Sequence, residues 1–438
     1  MRLFRLFKND TAREVSRWVD DGLIERSQGQ AILARYGLSL DDAHGTSFGY
    51  YVLTSLATAF FGLALILIVS HNWDDIPRMV RMLGLVGLTL VVNIIGIRYM
   101  LNERYRAGTL WLFFGGICYG ASIMLIAQIY HLGEHFPDGI YFWALGVLPL
   151  VFFTQSRLLA LLCLTLATIW LVVERESGFM PYSYPLFALP VLWLLVTRKE
   201  SVLLFLFAVV GLIVWMNMLF SWHFSGTQYF HFIDDQVPLN VAVGLLLAGV
   251  AWWLTRRTRH ALRDYGFALH LWLLRALLVL LLVLSFADAW DGLDTLRIDS
   301  AFLVPLVIGV CGAAGAWLAW ASGRHASGPV LANTLFFVAV FYWLYAGRSP
   351  DQDGLAIATN LMLLISGIWL IRRGIDASMT HFFYTGVVVL LLTALFRYFD
   401  LIGDYLGGAA LFAVAALILF GAARYWHLRM KTQGKGHG

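Results

Sequence analysis

From about residue 49 to residue 424 the chain alternates between apolar blocks of roughly 15–22 residues and short polar knots. At a rise of about 1.5 Å per residue, a helix of that length crosses a hydrocarbon core of about 30 Å. An unpaired backbone group is costly in lipid, so each block must satisfy its hydrogen bonds within itself and is predicted to be helical. Strand-like alternation, the mark of a membrane barrel, is absent. The blocks fall near 49–70, 79–97, 108–130, 140–154, 158–173, 185–197, 201–221, 238–254, 269–287, 300–322, 330–346, 355–371, 379–396 and 407–424. The predicted fold class is therefore all-α and polytopic, with about fourteen transmembrane helices. The three blocks between 140 and 197 are short, and the count is twelve if a pair of them is re-entrant.

Residues 1–48 have a different pattern. Thr11-x-x-Glu14 has capping-box spacing, Val15, Trp18 and Val19 follow on one face, and Gly22 is a stop. A second helix is expected from about Ser27 to Tyr36, ending at Gly37, with Ala31, Ile32 and Leu33 on its apolar side. Such a hairpin is too small for a core of its own, so it is expected to dock on the membrane domain, a second copy or a protein partner. Its seven Lys/Arg are offset by seven Asp/Glu, which argues against nucleic-acid binding. The expected domains are thus a cytosolic hairpin (1–48), a multi-pass region (49–424) and a basic tail (425–438).

Composition supports the membrane reading. Charged residues are 13% of the chain and apolar ones 60%, where soluble domains carry about 25% charge. The amino-terminal stretch lacks the apolar core of a cleavable secretion signal, since Arg5, Lys8 and Asp10 interrupt it. Cys118, Cys163 and Cys311 all lie in apolar blocks and read as small buried hydrophobes.

Charge also assigns the sides. With the hairpin inside, the inner segments hold 24 of the 31 Lys/Arg and the outer ones six, leaving Arg275 within a span. The positive-inside bias therefore places both termini in the cytoplasm. Acidic residues lean outward, 16 of 27. The positive-inside rule does not demand an acidic outer face, which makes that face the place to look for chemistry.

Two outer turns stand out. The first holds His71, Asn72, Trp73, Asp74 and Asp75, followed by Pro77, Arg78 and Arg81, and reads as a capped, anchored turn. The second, 127–139, contains His131-x-x-Glu134-His135, the spacing of an inverted zinc-protease motif, weakened by Gly133 within it and Pro137 after it. One turn back, the amide of Gln128 is expected to be buried and to bond across helices. Sequential hairpins usually pack side by side, so Asp74, Gln128, His131 and Glu134 are expected to form a polar, substrate-binding vestibule with Gln128 as its floor. The Asp288–Asp299 run lacks the twelfth-position Glu of a calcium loop. No metal, cofactor or catalytic residue is assigned. No Asp or Glu sits at mid-membrane, which counts against an ion-coupled pump. Arg275 is close enough to the inner face to snorkel. The glycines 116 and 120, and 309, 312 and 315, favour close helix packing, while Walker, Gly-x-Ser-x-Gly and Rossmann patterns and internal repeats are absent.

Several stretches are familiar together: 15–37 "VSRWVDDGLIERSQGQAILARYG", 69–82 "VSHNWDDIPRMVRM", 120–132 "GASIMLIAQIYHL", 143–162 "WALGVLPLVFFTQSRLLALL" and 397–420 "RYFDLIGDYLGGAALFAVAALILF". Through them the chain resembles a bacterial family of predicted membrane proteins of unknown function, related to the GDYXXLXY-type membrane proteins. The resemblance is strong over about 12–165 and the last 50 residues. It implies an inner-membrane location and polytopic architecture. It carries no catalytic residues, and its core turn keeps the Gln-x-Tyr without a fixed His-x-x-Glu-His.

The expected function is non-enzymatic and transport or channel-like, resting on the many spans and on Asn93, Gln128, Asn333 and Asn360 within them. The alternatives are an envelope enzyme acting on a lipid-linked or polysaccharide substrate at the outer face, and a scaffold or regulatory subunit. The expected partners are membrane lipid and a protein bound through the hairpin.

Overall fold

The computed structural model describes residues 8–35, 39–40, 53, 56–57, 60, 76–132, 135–198, 200–225, 236–291, 293, 302–346, 351–376 and 379–401. Every regular element among them is helical. Residues 1–85 form one compact unit and 86–438 another.

In the first unit, α1 (Lys8–Asp20) and α2 (Arg26–Arg35) form the expected hairpin. Gly22 sits at φ 71° and turns the chain. Ala12, Val15 and Leu33 are buried together, with Ile24, Ile32 and Leu40 packed against them. Two details differ from expectation. Helix α1 starts three residues before Thr11, so Thr11 is an interior residue and no cap, and Glu14 pairs with Arg17 at 3.4 Å instead. Trp18 stays 38% exposed, because the core is small enough to be closed by aliphatic groups alone.

The spans follow as α3 (Arg78–Leu101), α4 (Tyr105–Tyr130), α5 (Pro137–Thr154), α6 (Arg157–Glu176), α7 (Pro185–Thr197), α8 (Val202–Phe220), α9 (Val237–Thr255), α10 (His260–Val283), α11 (Leu303–Ser322), α12 (Arg324–Ala346), α13 (Gln352–Asp376) and α14 (Thr380–Leu401). Eleven helices among the described residues are long and apolar enough to cross a membrane, and α7 is a shorter apolar helix. These twelve match twelve of the fourteen predicted blocks. Block 407–424 lies outside the described residues, as does 49–70 except for Leu53, Leu56, Ala57 and Phe60, which are helical. Helices α5 and α6 both reach span length, so α7 alone is short.

The helix ends explain the short turns. Pro137 and Pro185 open α5 and α7, where a missing N–H costs nothing. Ser156 and Ser201 cap α6 and α8, accepting from the N–H of Leu158 and Leu204. Gln155 and His131 end α5 and α4 in the left-handed conformation.

Within the second unit one apolar core centres on α5–α8, and a second on α9–α14. Helices α9 and α10 contribute to both. At one end of the bundle, Arg259 Nη2 donates to the carbonyl of Thr197 at 2.8 Å. The Tyr265 hydroxyl accepts from Ser201 N at 2.9 Å and donates to Leu195 O at 3.2 Å, so α10 is fastened to the α7–α8 turn. Close helix crossings use glycine. A Cβ at Gly249 would run into the backbone of Gly315, one at Gly315 into the Leu245 carbonyl, and one at Gly312 into Thr334. The glycine series on α11 thus does pack tightly, except Gly309, whose Cβ would make only ordinary contact with Val338.

Candidate functional site

The turn residues come first. Asp74 and Glu134 lie outside the described residues. Gln128 is exposed and its amide finds no partner among the described residues. By helical phase it falls opposite the stripe of Gly108, Leu112, Gly115, Ser122 and Ile129, which α4 buries. The expected cross-helix bond is made elsewhere, between Thr89 Oγ1 and Ser122 Oγ at 2.9 Å, while Asn93 packs on Gly115.

His131 is exposed at φ 54° and ends α4. His131 follows the last residue of α4 and His135 precedes α5, so the two histidines of the His-x-x-Glu-His spacing do not share one helix. His135 has a different partner: its Nε2 is 2.8 Å from Oε2 of Glu174 at the end of α6, and its ring meets Phe179 edge-on at 4.8 Å. The next residue, Arg175, is 1% exposed, with its guanidinium 4.8 Å from the ring of Trp222. Trp222 belongs to a π-helical turn, Ser221–Ser225, that continues α8. These contacts tie the start of α5 to the ends of α6 and α8. Among the described residues no third His, Cys, Asp or Glu joins the His135–Glu174 pair to make up a metal-ligating group.

Inside the bundle the sequence reading missed a pair. Asn217 of α8 and Asn240 of α9 exchange two amide hydrogen bonds, Asn217 Nδ2 to Asn240 Oδ1 at 2.9 Å and Asn240 Nδ2 to Asn217 Oδ1 at 2.7 Å. Asn217 is 1% exposed. The signal was available as one asparagine in each of two successive apolar blocks. Replacing either alone strands the other's amide in an apolar wall, which costs more than losing both. Asn217→Leu and Asn240→Leu are each expected to destabilise by about 1 kcal/mol. The double variant should recover part of the loss, as read by thermal unfolding in detergent; additive losses would mean that the pair is not coupled.

Asn240 also marks one end of a cavity of ≈ 740 Å³ between α9, α10, α12 and α13. This is within the range of about 300–1,000 Å³ for small-molecule sites. Its wall is mostly aliphatic and aromatic, with Leu245, Leu277 and Phe337 among the lining groups. The polar lining residues are Asn240, His270, Asn333 and Ser366, and none is Asp or Glu. Asn333 Nδ2 donates to the Pro329 carbonyl at 2.8 Å, while its Oδ1 is buried without a partner among the described residues. His270 lies with its ring centroid 4.8 Å from that of Trp252 and 6.5 Å from that of Phe382.

Trp252 is near the end of α9 and Phe382 near the start of α14, so His270 sits at the bundle's arginine-rich end, although α10 begins ten residues earlier. Arg275, five residues further along α10 and about 7.5 Å by helical rise, lies against Trp272, its guanidinium 5.4 Å from the ring. With α10 starting at His260, Arg275 is fifteen residues and about 22 Å along the helix, deeper than the position near the inner face that the sequence led one to expect. Asn360, by contrast, does bond between elements, from Nδ2 to the Ser285 carbonyl at 3.0 Å.

The chain matches no curated protein and no solved structure. Residues 16–160, from α1 into the start of α6, match the family model described as "Predicted membrane protein (DUF2157)". That stretch coincides with the amino-terminal part of the resemblance and stops short of every residue lining the cavity. Over α1–α5, then, the chain is similar to a family of membrane proteins without an assigned function, and the many apolar helices make it a polytopic membrane protein.

Proposed function

We propose a transport-type role in the bacterial inner membrane, with both termini cytoplasmic and the cavity between α9, α10, α12 and α13 as the working site. The observation that carries it is the cavity itself: a largely apolar, partly open recess of ≈ 740 Å³ lined chiefly by four helices long enough to span, with a buried, unpartnered oxygen on Asn333. This partly open recess has room for a small molecule or a hydrocarbon chain. The Lys/Arg distribution supports the orientation. The cytosolic hairpin is a docking element for a protein partner under the same reading.

Gly244 supplies the test. It lines the cavity, and a Cβ there would meet no atom within 4 Å, so Gly244→Phe fills the chamber without disturbing the helix crossings. In a deletion strain with a measurable envelope defect, Gly244→Phe is expected to accumulate normally and fail to complement, while Gly244→Ala complements. Asp74→Asn, Gln128→Ala and Glu134→Gln are the comparison. Loss of function in these, with Gly244→Phe fully active, would replace the transport reading by the outer-face enzyme acting through its polar turns.

A further inference from the structure

The polar atoms of the cavity are not spread evenly. At one end, Asn240 is already spent on Asn217 and on the Gln236 carbonyl. Midway along, Asn333 keeps a buried oxygen with no partner among the described residues, and toward the other end neither ring nitrogen of His270 has a hydrogen-bond partner among the described residues. The same end carries positive charge. Trp369 lines the cavity, and one turn further along α13 the Arg373 guanidinium lies 5.5 Å from its ring centroid. Arg373 and His381 are the ionisable neighbours of His270. Apart from Asn333 and Ser366, the wall between the two ends is hydrocarbon. From Asn240 to Trp252 along α9 the cavity runs twelve residues, about 18 Å by helical rise. One leaflet of the hydrocarbon core is about 15 Å deep, half of the whole.

We infer that the cavity takes an anionic amphiphile with a single long hydrocarbon chain, the chain lying along α9, α10, α12 and α13 and the head at the His270–Arg373 end. This rests on the transport reading and names its substrate class. The chain exchanges one apolar environment for another, so selection falls to the head. An anion near a membrane interior is tolerated when a cation faces it, and Arg373, held against Trp369, is placed to do so. No carboxylate in the lining opposes it.

The experiment uses the full chain in nanodiscs of zwitterionic lipid and two photoreactive probes, a diazirine-bearing palmitate and the matching sixteen-carbon alcohol. Labelled positions are mapped by mass spectrometry. Palmitate is expected to label cavity-facing positions of α9, α10, α12 and α13, to be competed by unlabelled palmitate, and to label about five-fold more than the alcohol. Arg373→Gln should bring palmitate down to the level of the alcohol and leave alcohol labelling unchanged, and Arg373→Lys should keep the preference. Equal labelling of wild type by both probes overturns the anionic head. Labelling spread over lipid-facing helices such as α3, without competition, overturns the chain-binding assignment. Either failure leaves the transport reading standing as long as Gly244→Phe abolishes complementation, whereas complementation by Gly244→Phe removes both.

Discussion

Gly249→Val is expected to leave little folded protein, because the two backbones that meet at Gly249 have no side chain between them to give way. A Cβ at Gly249 would collide with the Gly315 carbonyl oxygen and Cα, and one at Gly315 with the Leu245 carbonyl, so α9 and α11 touch backbone to backbone. In lipid, where apolar tails compete equally for apolar surfaces, such close approach is a main source of helix association. Forcing the helices apart costs about 3 kcal/mol, the upper end for over-packing, since neither carbonyl can rotate away without breaking its own helix. Gly249→Ala should sit between Val and wild type. Gly244→Ala on the same helix meets open space and should be neutral or stabilising by about 0.5 kcal/mol, as alanine restricts the unfolded chain. The measurement is the melting temperature of the solubilised protein by size-exclusion after heating. Equal melting of Gly249→Val and wild type would mean that α9 and α11 do not meet in this way.

A comparable loss is expected at Gly120→Leu. The Trp143 indole of α5 lies across Gly120 of α4, in the space a side chain would take, and its Nε1 donates to the Gly116 carbonyl at 2.8 Å. A leucine there must expel the ring, which gives up its packing and its hydrogen bond together, for about 3 kcal/mol. Trp143→Ala alone should cost about 2 kcal/mol, less than a fully buried tryptophan because the ring is only partly buried. The informative measurement is the double variant. With the ring gone, Gly120→Leu has room, so the combined loss should be well below the sum of the two. Strict additivity would show that the glycine and the tryptophan do not share one space.

Both predictions turn on contacts that hydropathy does not encode, and this divides what the chain determines locally from what the assembled helices decide. A membrane span must close its hydrogen bonds within itself, and this local condition depends only on a run of apolar residues of sufficient length. The spans and the hairpin at 8–35 were therefore readable as sequence, with ends set by Pro137, Pro185, Ser156 and Gly22. Where two local signals competed, the reading failed: Thr11-x-x-Glu14 has capping spacing, yet α1 starts earlier, at Lys8. Gln128 was expected to bond across helices because a polar group in a span needs a partner, but helical phase puts it on the unburied side of α4.

What only the tertiary structure decided is which polar groups meet. His135 finds Glu174 thirty-nine residues away, Asn217 finds Asn240, and His270 comes level with the ends of α9 and α13. The small-residue pattern on α11 announced a close crossing without saying that Gly249 of α9 would fill its partner role. Nor does any periodicity reveal the cavity, because a recess is a property of how several helices are arranged together, and each of its walls, taken alone, reads as an ordinary apolar span.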